Sequence, residues 1–239
     1  SGITSCSKLL CEILNNDCIP FRKCILPAIE ALHENNLKIA KLQIQDSEEA
    51  TIKFAAECAQ IVHDLLPGEN FAIPASWYTP QSGHAMIAVF KKEDQSHYEI
   101  TLCNTGDGLT AFHPSSFLEG KWRSQPMIQM SKIPHNELFA FGHKDSKNSA
   151  NYCIEKLIKG TLISSFRSRY TPETIYLNIF GPLFLKYQNR KFDSPLITSQ
   201  RGSSCAWKAL TAFMRYILPS EVFNQVIFQL KFHYSLSVF

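Results

Sequence analysis

Apolar positions recur at helical spacing through the first third of the chain and then switch to every second residue. Residues 3–16 and 21–35 read as two helices. In the second, Ile25, Ile29 and Leu32 recur at i, i+4 and i+7, and Pro27 fits only in a first turn. Asn35-Asn36 breaks that pattern, and residues 37–44 alternate well enough for a short strand or an extended linker. Asp46-Ser47-Glu48-Glu49 is a strong helix start, a cap followed by first-turn acids. The helix is expected to reach residue 66 with Ile52, Ala55, Cys58, Ala59, Val62 and Leu66 on one face, and Pro67-Gly68 ends it.

From residue 70 the period is two. Phe71, Ile73, Ala75 and Trp77 mark a strand over 70–77, residues 84–90 form a second that is apolar enough to be central, and 97–103 alternates as a third. Asn104-Thr-Gly-Asp-Gly108 closes this antiparallel meander in a tight glycine-rich loop. Further on, 122–130 reads as a strand, 148–165 as a helix, 170–184 as helical or irregular, and 186–193 as a polar, basic loop. A helix follows Ser203-Ser204, and Leu218-Pro219-Ser220-Glu221 starts a closing helix over about 220–235, with Val222, Val226, Phe228, Leu230 and Phe232 as core candidates. The pattern predicts one α+β domain over 1–239, a central antiparallel sheet flanked by helices. It divides into a helical part (1–69), a sheet (70–113), a basic insertion (114–199) and two closing helices (200–239).

With 239 residues, 45% hydrophobic and 19% charged, the chain is an ordinary globular sequence able to bury a core. No apolar run approaches the roughly 18 residues of a membrane span. Ser-Gly-Ile-Thr-Ser at the start lacks the basic and apolar blocks of a signal peptide. Eight cysteines, several on apolar helical positions, carry no CxxC or clustered Cys/His spacing that would hold zinc. A reducing, cytoplasmic setting is expected. The net charge of +3 is unevenly spread. Residues 120–195 hold 12 Lys/Arg against 5 Asp/Glu, whereas 1–119 hold 8 against 15. A basic middle segment suits an acidic protein, a phosphate or an anionic surface, or is simply a solvated face; nothing in it calls for nucleic acid.

Chemistry concentrates around Cys205. Ser203 or Ser204 can cap its helix, and a first-turn position favours thiolate over thiol. Gln200, five residues upstream, can aim a side-chain N–H at an oxyanion beside the Cys205 backbone N–H. A thiolate needs a base and the base needs an orienting group. His84 starts a strand directly after a Ser-Gly turn, and Asn104 ends the next strand, where an antiparallel pair brings the two together. Asp107, three residues further into the loop, competes with Asn104 as the orienting group.

The order His84, Asn104, Gln200, Cys205 resembles the cysteine-peptidase clan of SUMO-specific and related ubiquitin-like-protein proteases and bacterial effector deubiquitinases. The likeness covers 71–113 and 195–216. The chain departs from that pattern in having Ala85 after the histidine, Ala206 after the cysteine, and a glutamine five rather than six residues before it. The resemblance implies a papain-like cysteine protease fold, with His84 as base, Asn104 as orienter, Gln200 as oxyanion donor and Cys205 as nucleophile, and no metal or cofactor. It also implies ubiquitin or a ubiquitin-like modifier as substrate partner, and an effector acting in a host cytosol fits it. Trp77 and Trp207 are then candidates to flank the cleft, and His113 either contacts a substrate tail or occupies a loop. Three alternatives stand beside this. One is an acyl (acetyl) transferase of the same clan; another is a non-catalytic ubiquitin-binding module. The third is the papain order, with Cys6 as nucleophile before the same His84 and Asn104.

Overall fold

A computed structural model describes residues 7–8, 10–12, 22–45, 47–78, 83–139, 150–162, 170–189, 194–199 and 205–237. The coarse class is as expected: an α+β chain with antiparallel sheet flanked by helices.

The first clear departure is α1 (Arg22–Gln45), one 24-residue helix where a helix, a break and an extended segment were expected. Asn35 and Asn36 do not interrupt it, because both amides find partners compatible with helix. Asn36 Nδ2 donates back to the Leu32 carbonyl at 2.9 Å, and Asn35 Nδ2 reaches out to the Ala72 carbonyl at 3.0 Å. Pro27 lies inside this helix rather than in its first turn.

In α2 (Glu48–Asp64) the cap is as read: Ser47 Oγ accepts from the Ala50 N–H, and Glu48 and Glu49 occupy the first turn. Its buried face is Thr51, Phe54, Ala55, Cys58, Ala59 and Val62, so Ile52 and Leu66 are exposed instead of core.

The main sheet has four strands, not three. β1 (Asn70–Tyr78), β2 (Gly83–Lys92) and β3 (His97–Cys103) form the expected meander, with Trp77 opposite His84 and Ile87 opposite Cys103. After α3 (Leu109–Phe112), the expected strand over 122–130 resolves into two elements. β4 (Ser115–Leu118) and β5 (Lys121–Ser124) form a small hairpin sheet, and β6 (Met127–Pro134) joins the main sheet beside β3, giving the order β1-β2-β3-β6. Pro74 is tolerated because β1 is an edge strand.

The segment 114–199 is therefore not an appendage. Beyond β6 it supplies α4 (His135–Leu138), α5 (Ala150–Leu162), a π-helical turn (Thr174–Ile179), α6 (Gly181–Tyr187) and β7 (Ile197–Thr198), which adds to β5. Cys153, Ile154, Leu157 and Ile158 of α5, with Ile175, Tyr176 and Ile179, bury one face of the sheet together with Phe54, Ala55, Cys58 and Val62 of α2. On that face lie Trp77, Met86, Ala88, Phe90, Ile100 and Leu102.

The other face holds Ile87, Val89 and Cys103, covered by α7 (Cys205–Ile217) through Ala206, Ala209, Leu210 and Phe213, with Phe223, Val226 and Leu230 of α8 (Ser220–Ser237) in the same cluster. Phe228, expected in that core, is exposed. The direction of α7 matters for the site. Tyr216 near its C-terminus hydrogen-bonds the buried Glu99 carboxylate, and Glu99 is paired with Lys91 at the far end of β2. The eleven residues back to Cys205 span about 16 Å at 1.5 Å each, and Ala206 and Ala209 beside it share a cluster with Ile87 and Cys103.

Candidate functional site

His84 is the second residue of β2, cross-strand from Trp77, and its ring lies 4.7 Å from the indole at a 40° tilt. Its Nε2 is 2.6 Å from Asn104 Oδ1. The hairpin thus brings His84 and Asn104 together, as expected from the sequence.

The hydrogen bonds around Asn104 fix the proton on His84. The Asn104 Nδ2 group donates to the Asp107 carbonyl at 2.8 Å, an atom that can only accept. Its Oδ1 accepts from the Gly106 backbone N–H at 3.0 Å, which can only donate. The amide therefore has one allowed orientation, and the nitrogen facing Oδ1 must be an N–H. Neutral His84 carries its proton on Nε2 and its lone pair on Nδ1, which has no hydrogen-bond partner among the described residues. Burial holds the His84 pKa below its ordinary value, against the Asn104 hydrogen bond and the Asp107 charge, both of which raise it. The ring is thus kept in its basic form near neutral pH.

Asp107 does not compete for the ring. Its carboxylate accepts the Trp77 indole N–H at 2.9 Å, which locks the tryptophan against His84 and leaves the charge to stabilise an imidazolium as it forms. Trp77 is 1% exposed, so it is a wall behind the histidine and not the cleft-flanking surface expected for it. Trp207, on α7, is half-buried against the core of the opposite face.

The glycine-rich loop is shaped by close approach. A Cβ on Gly106 would stand 3.0 Å from His84 Nδ1 and closer still to Cε1, so the loop backbone lies directly against the ring. Gly108 takes a positive φ of 74° and presses on Pro172, whose neighbours lead into the π-helical turn.

His113 is corrected by the structure. It does occupy the bend after α3, but it lines no cleft: it is 4% exposed, and both ring nitrogens are used internally. Nδ1 meets the Gln125 carbonyl at 2.8 Å, and Nε2 meets Tyr176 Oη at 2.7 Å. Tyr176 Oη in turn accepts from Asn104 Nδ2 at 3.0 Å. Tyr176 is the site residue that sequence reasoning missed. It lies 72 residues beyond Asn104 in a segment with no regular period, and nothing in the residue pattern points to it.

No protein-family model matches the chain, and no curated protein matches it significantly. What the chain can do is read from its own geometry.

The described cysteines, Cys11, Cys58, Cys103, Cys153 and Cys205, are all free thiols. Cys58, Cys103 and Cys153 are buried and burial pushes their pKa values up, to about 12 for Cys58 and Cys153, which makes them inert. Cys11 is partly exposed, and burial with Glu30 and Glu12 raises its pKa. Cys205 is partly exposed as the first residue of α7, whereas Cys103, the residue before Asn104, is fully buried on the sheet face opposite Trp77. Ser199 Oγ donates to the Gly106 carbonyl at 3.2 Å, so the chain approaching that helix passes against the loop that supports His84.

The site is not closed, however. α7 covers the face of Ile87 and Val89, whereas His84 shares the face of Trp77, and among the described residues no hydrogen bond joins Cys205 to His84. The two side chains approach the start of β2 from opposite faces. Gln200, Ser203, Ser204 and Cys6 lie outside the described residues.

Proposed function

We propose that the chain is a thiol-dependent hydrolase of isopeptide or peptide bonds in which Cys205 is the nucleophile and His84 the base. The observation that carries this is the fixed tautomer: Asn104 Oδ1 accepts a hydrogen bond from the His84 Nε2–H, which leaves Nδ1 as the available base. His84 Nδ1 takes the thiol proton, the thiolate attacks the carbonyl carbon, and the imidazolium returns the proton to the leaving amine. Water then attacks the thioester with the same ring as base. The Cys205 N–H at the helix start and the Gln200 side chain are assigned to the oxyanion. The thiol and Nδ1 have to meet around Gly83–His84, and catalytic hydrogen bonds that are open without substrate commonly tighten in the complex.

The preferred substrate, the C-terminus of ubiquitin or a ubiquitin-like modifier, rests on the resemblance to the SUMO-protease and effector-deubiquitinase clan, as does a papain-like arrangement. Incubation with ubiquitin-family probes bearing a C-terminal thiol-reactive warhead tests both parts. An adduct that maps to Cys205 and is lost in His84→Ala is expected. Labelling that persists in Cys205→Ala would sink the assignment of the nucleophile. Reaction of Cys205 with a small alkylating agent but with no modifier probe would remove the substrate.

A further inference from the structure

Tyr176 and His113 are two polar side chains, 1% and 4% exposed, set in the apolar layer behind Asn104. Burying a hydroxyl and an imidazole is costly unless both are satisfied, and here they satisfy each other in one direction only. His113 Nδ1 must carry a proton to meet the Gln125 carbonyl at 2.8 Å. Neutral His113 then has its lone pair on Nε2, so the Tyr176 hydroxyl donates to it at 2.7 Å. With its hydrogen committed, the Tyr176 oxygen is free to accept from Asn104 Nδ2 at 3.0 Å. The Asn104 oxygen then faces the His84 N–H. The chain from the Gln125 carbonyl to His84 thus runs in one direction, and it adds to the Asp107 carbonyl and Gly106 N–H, which favour the same Asn104 orientation.

Burial holds the His113 pKa far down, at about 4, so the direction of this chain persists across the neutral range. Tyr176 is delivered by a π-helical turn, an arrangement that recurs at functional sites, and its ring is stacked on Phe112 at 4.7 Å and 6°.

We propose that Tyr176 and His113 are positioning residues for the base: together they orient the Asn104 amide and so hold the His84 proton on Nε2. This deepens the hydrolase reading and rests on it for the consequence at Cys205, but the orientation of His84 can be measured without any turnover.

The test uses the full chain and its Tyr176→Phe variant, which keeps the ring stacked on Phe112 and removes only the hydroxyl. Nitrogen-15 spectra of the His84 imidazole report its tautomer and titration, and the rate of Cys205 alkylation by iodoacetamide is followed with pH. The parent is expected to show the Nε2–H form. In Tyr176→Phe the His84 midpoint is expected to fall, because a less firmly held Asn104 oxygen stabilises the imidazolium less. The Cys205 rate should drop about tenfold, the scale of one hydrogen bond in the chain. A parent with its proton on Nδ1 overturns the proposal whether or not the variant folds, as do identical His84 spectra and titrations in both proteins. If the His84 spectra respond as expected while Cys205 alkylation is indifferent to His84, the relay stands and the hydrolase reading fails.

Discussion

Gly106→Ala is expected to slow Cys205-dependent cleavage about 100-fold, the penalty associated with displacing a reacting group by roughly an ångström. The new Cβ would lie 3.0 Å from His84 Nδ1 and closer to Cε1. The ring cannot simply retreat: its Nε2 is tied to Asn104 at 2.6 Å, and the Trp77 indole, itself locked to Asp107, stands 4.7 Å away. Gly106 does not share the positive φ of Gly68, Gly108 and Gly120, so the effect is steric and not a backbone strain. Overpacking of this kind also costs about 1–3 kcal/mol of stability. Gly120→Ala is the matched control. Its φ of 73° makes alanine strained, but nothing lies within 4 Å of the added methyl, so stability should fall while cleavage is unchanged. Turnover by a folded Gly106→Ala protein at the parent rate would show that the loop does not seat the histidine.

Acid should destabilise the fold before any carboxylate is titrated, and His113 should dominate the loss. Its folded pKa is depressed to about 4 by burial, below the ordinary value of about 6.5. As pH falls from about 6.5 towards 4, the unfolded chain takes up a proton that the folded chain refuses. The contribution is thus fully present above about 6.5 and declines below it, by ~3 kcal/mol when pH 4 is reached. His84, also depressed by burial, adds a loss of the same sign. Urea unfolding between pH 7 and 4 measures the slope, and His113→Asn should flatten it whatever it does to stability at pH 7. Parallel slopes in the two proteins would contradict the assignment.

The hairpin that carries the base was legible because strand period, turn chemistry and antiparallel register all act over short range. Alternation placed β2 and β3, and their antiparallel pairing, which ends at Ile87 and Cys103, brought Asn104 close enough to meet His84 diagonally. The helix from Cys205 was legible from its own apolar period, while the serines read as its cap lie outside the described residues. What failed were inferences from residues whose meaning is set by distant partners. Asn35-Asn36 looked like a break because an asparagine amide competes with the backbone, and only a carbonyl on β1 turns Asn35 into a helix residue. His113 does lie in a connecting bend, but nothing within its own segment reveals that Tyr176 and the Gln125 carbonyl bury it. The basic segment looked like an insertion because charge was read where packing decided. β6 completes the sheet and α5 covers it. Tyr176 itself depends on a π-helical turn, for which the sequence has no period to display.

The central claim is that His84 serves Cys205, although the two reach the start of β2 from opposite faces. The pH dependence of Cys205 alkylation by iodoacetamide, mapped by peptide, tests it most directly. Reaction at Cys205 ahead of every other cysteine is expected, with a limb rising through the His84 titration that disappears in His84→Ala. A profile at Cys205 that is the same with and without His84, or faster alkylation of Cys6, would contradict it.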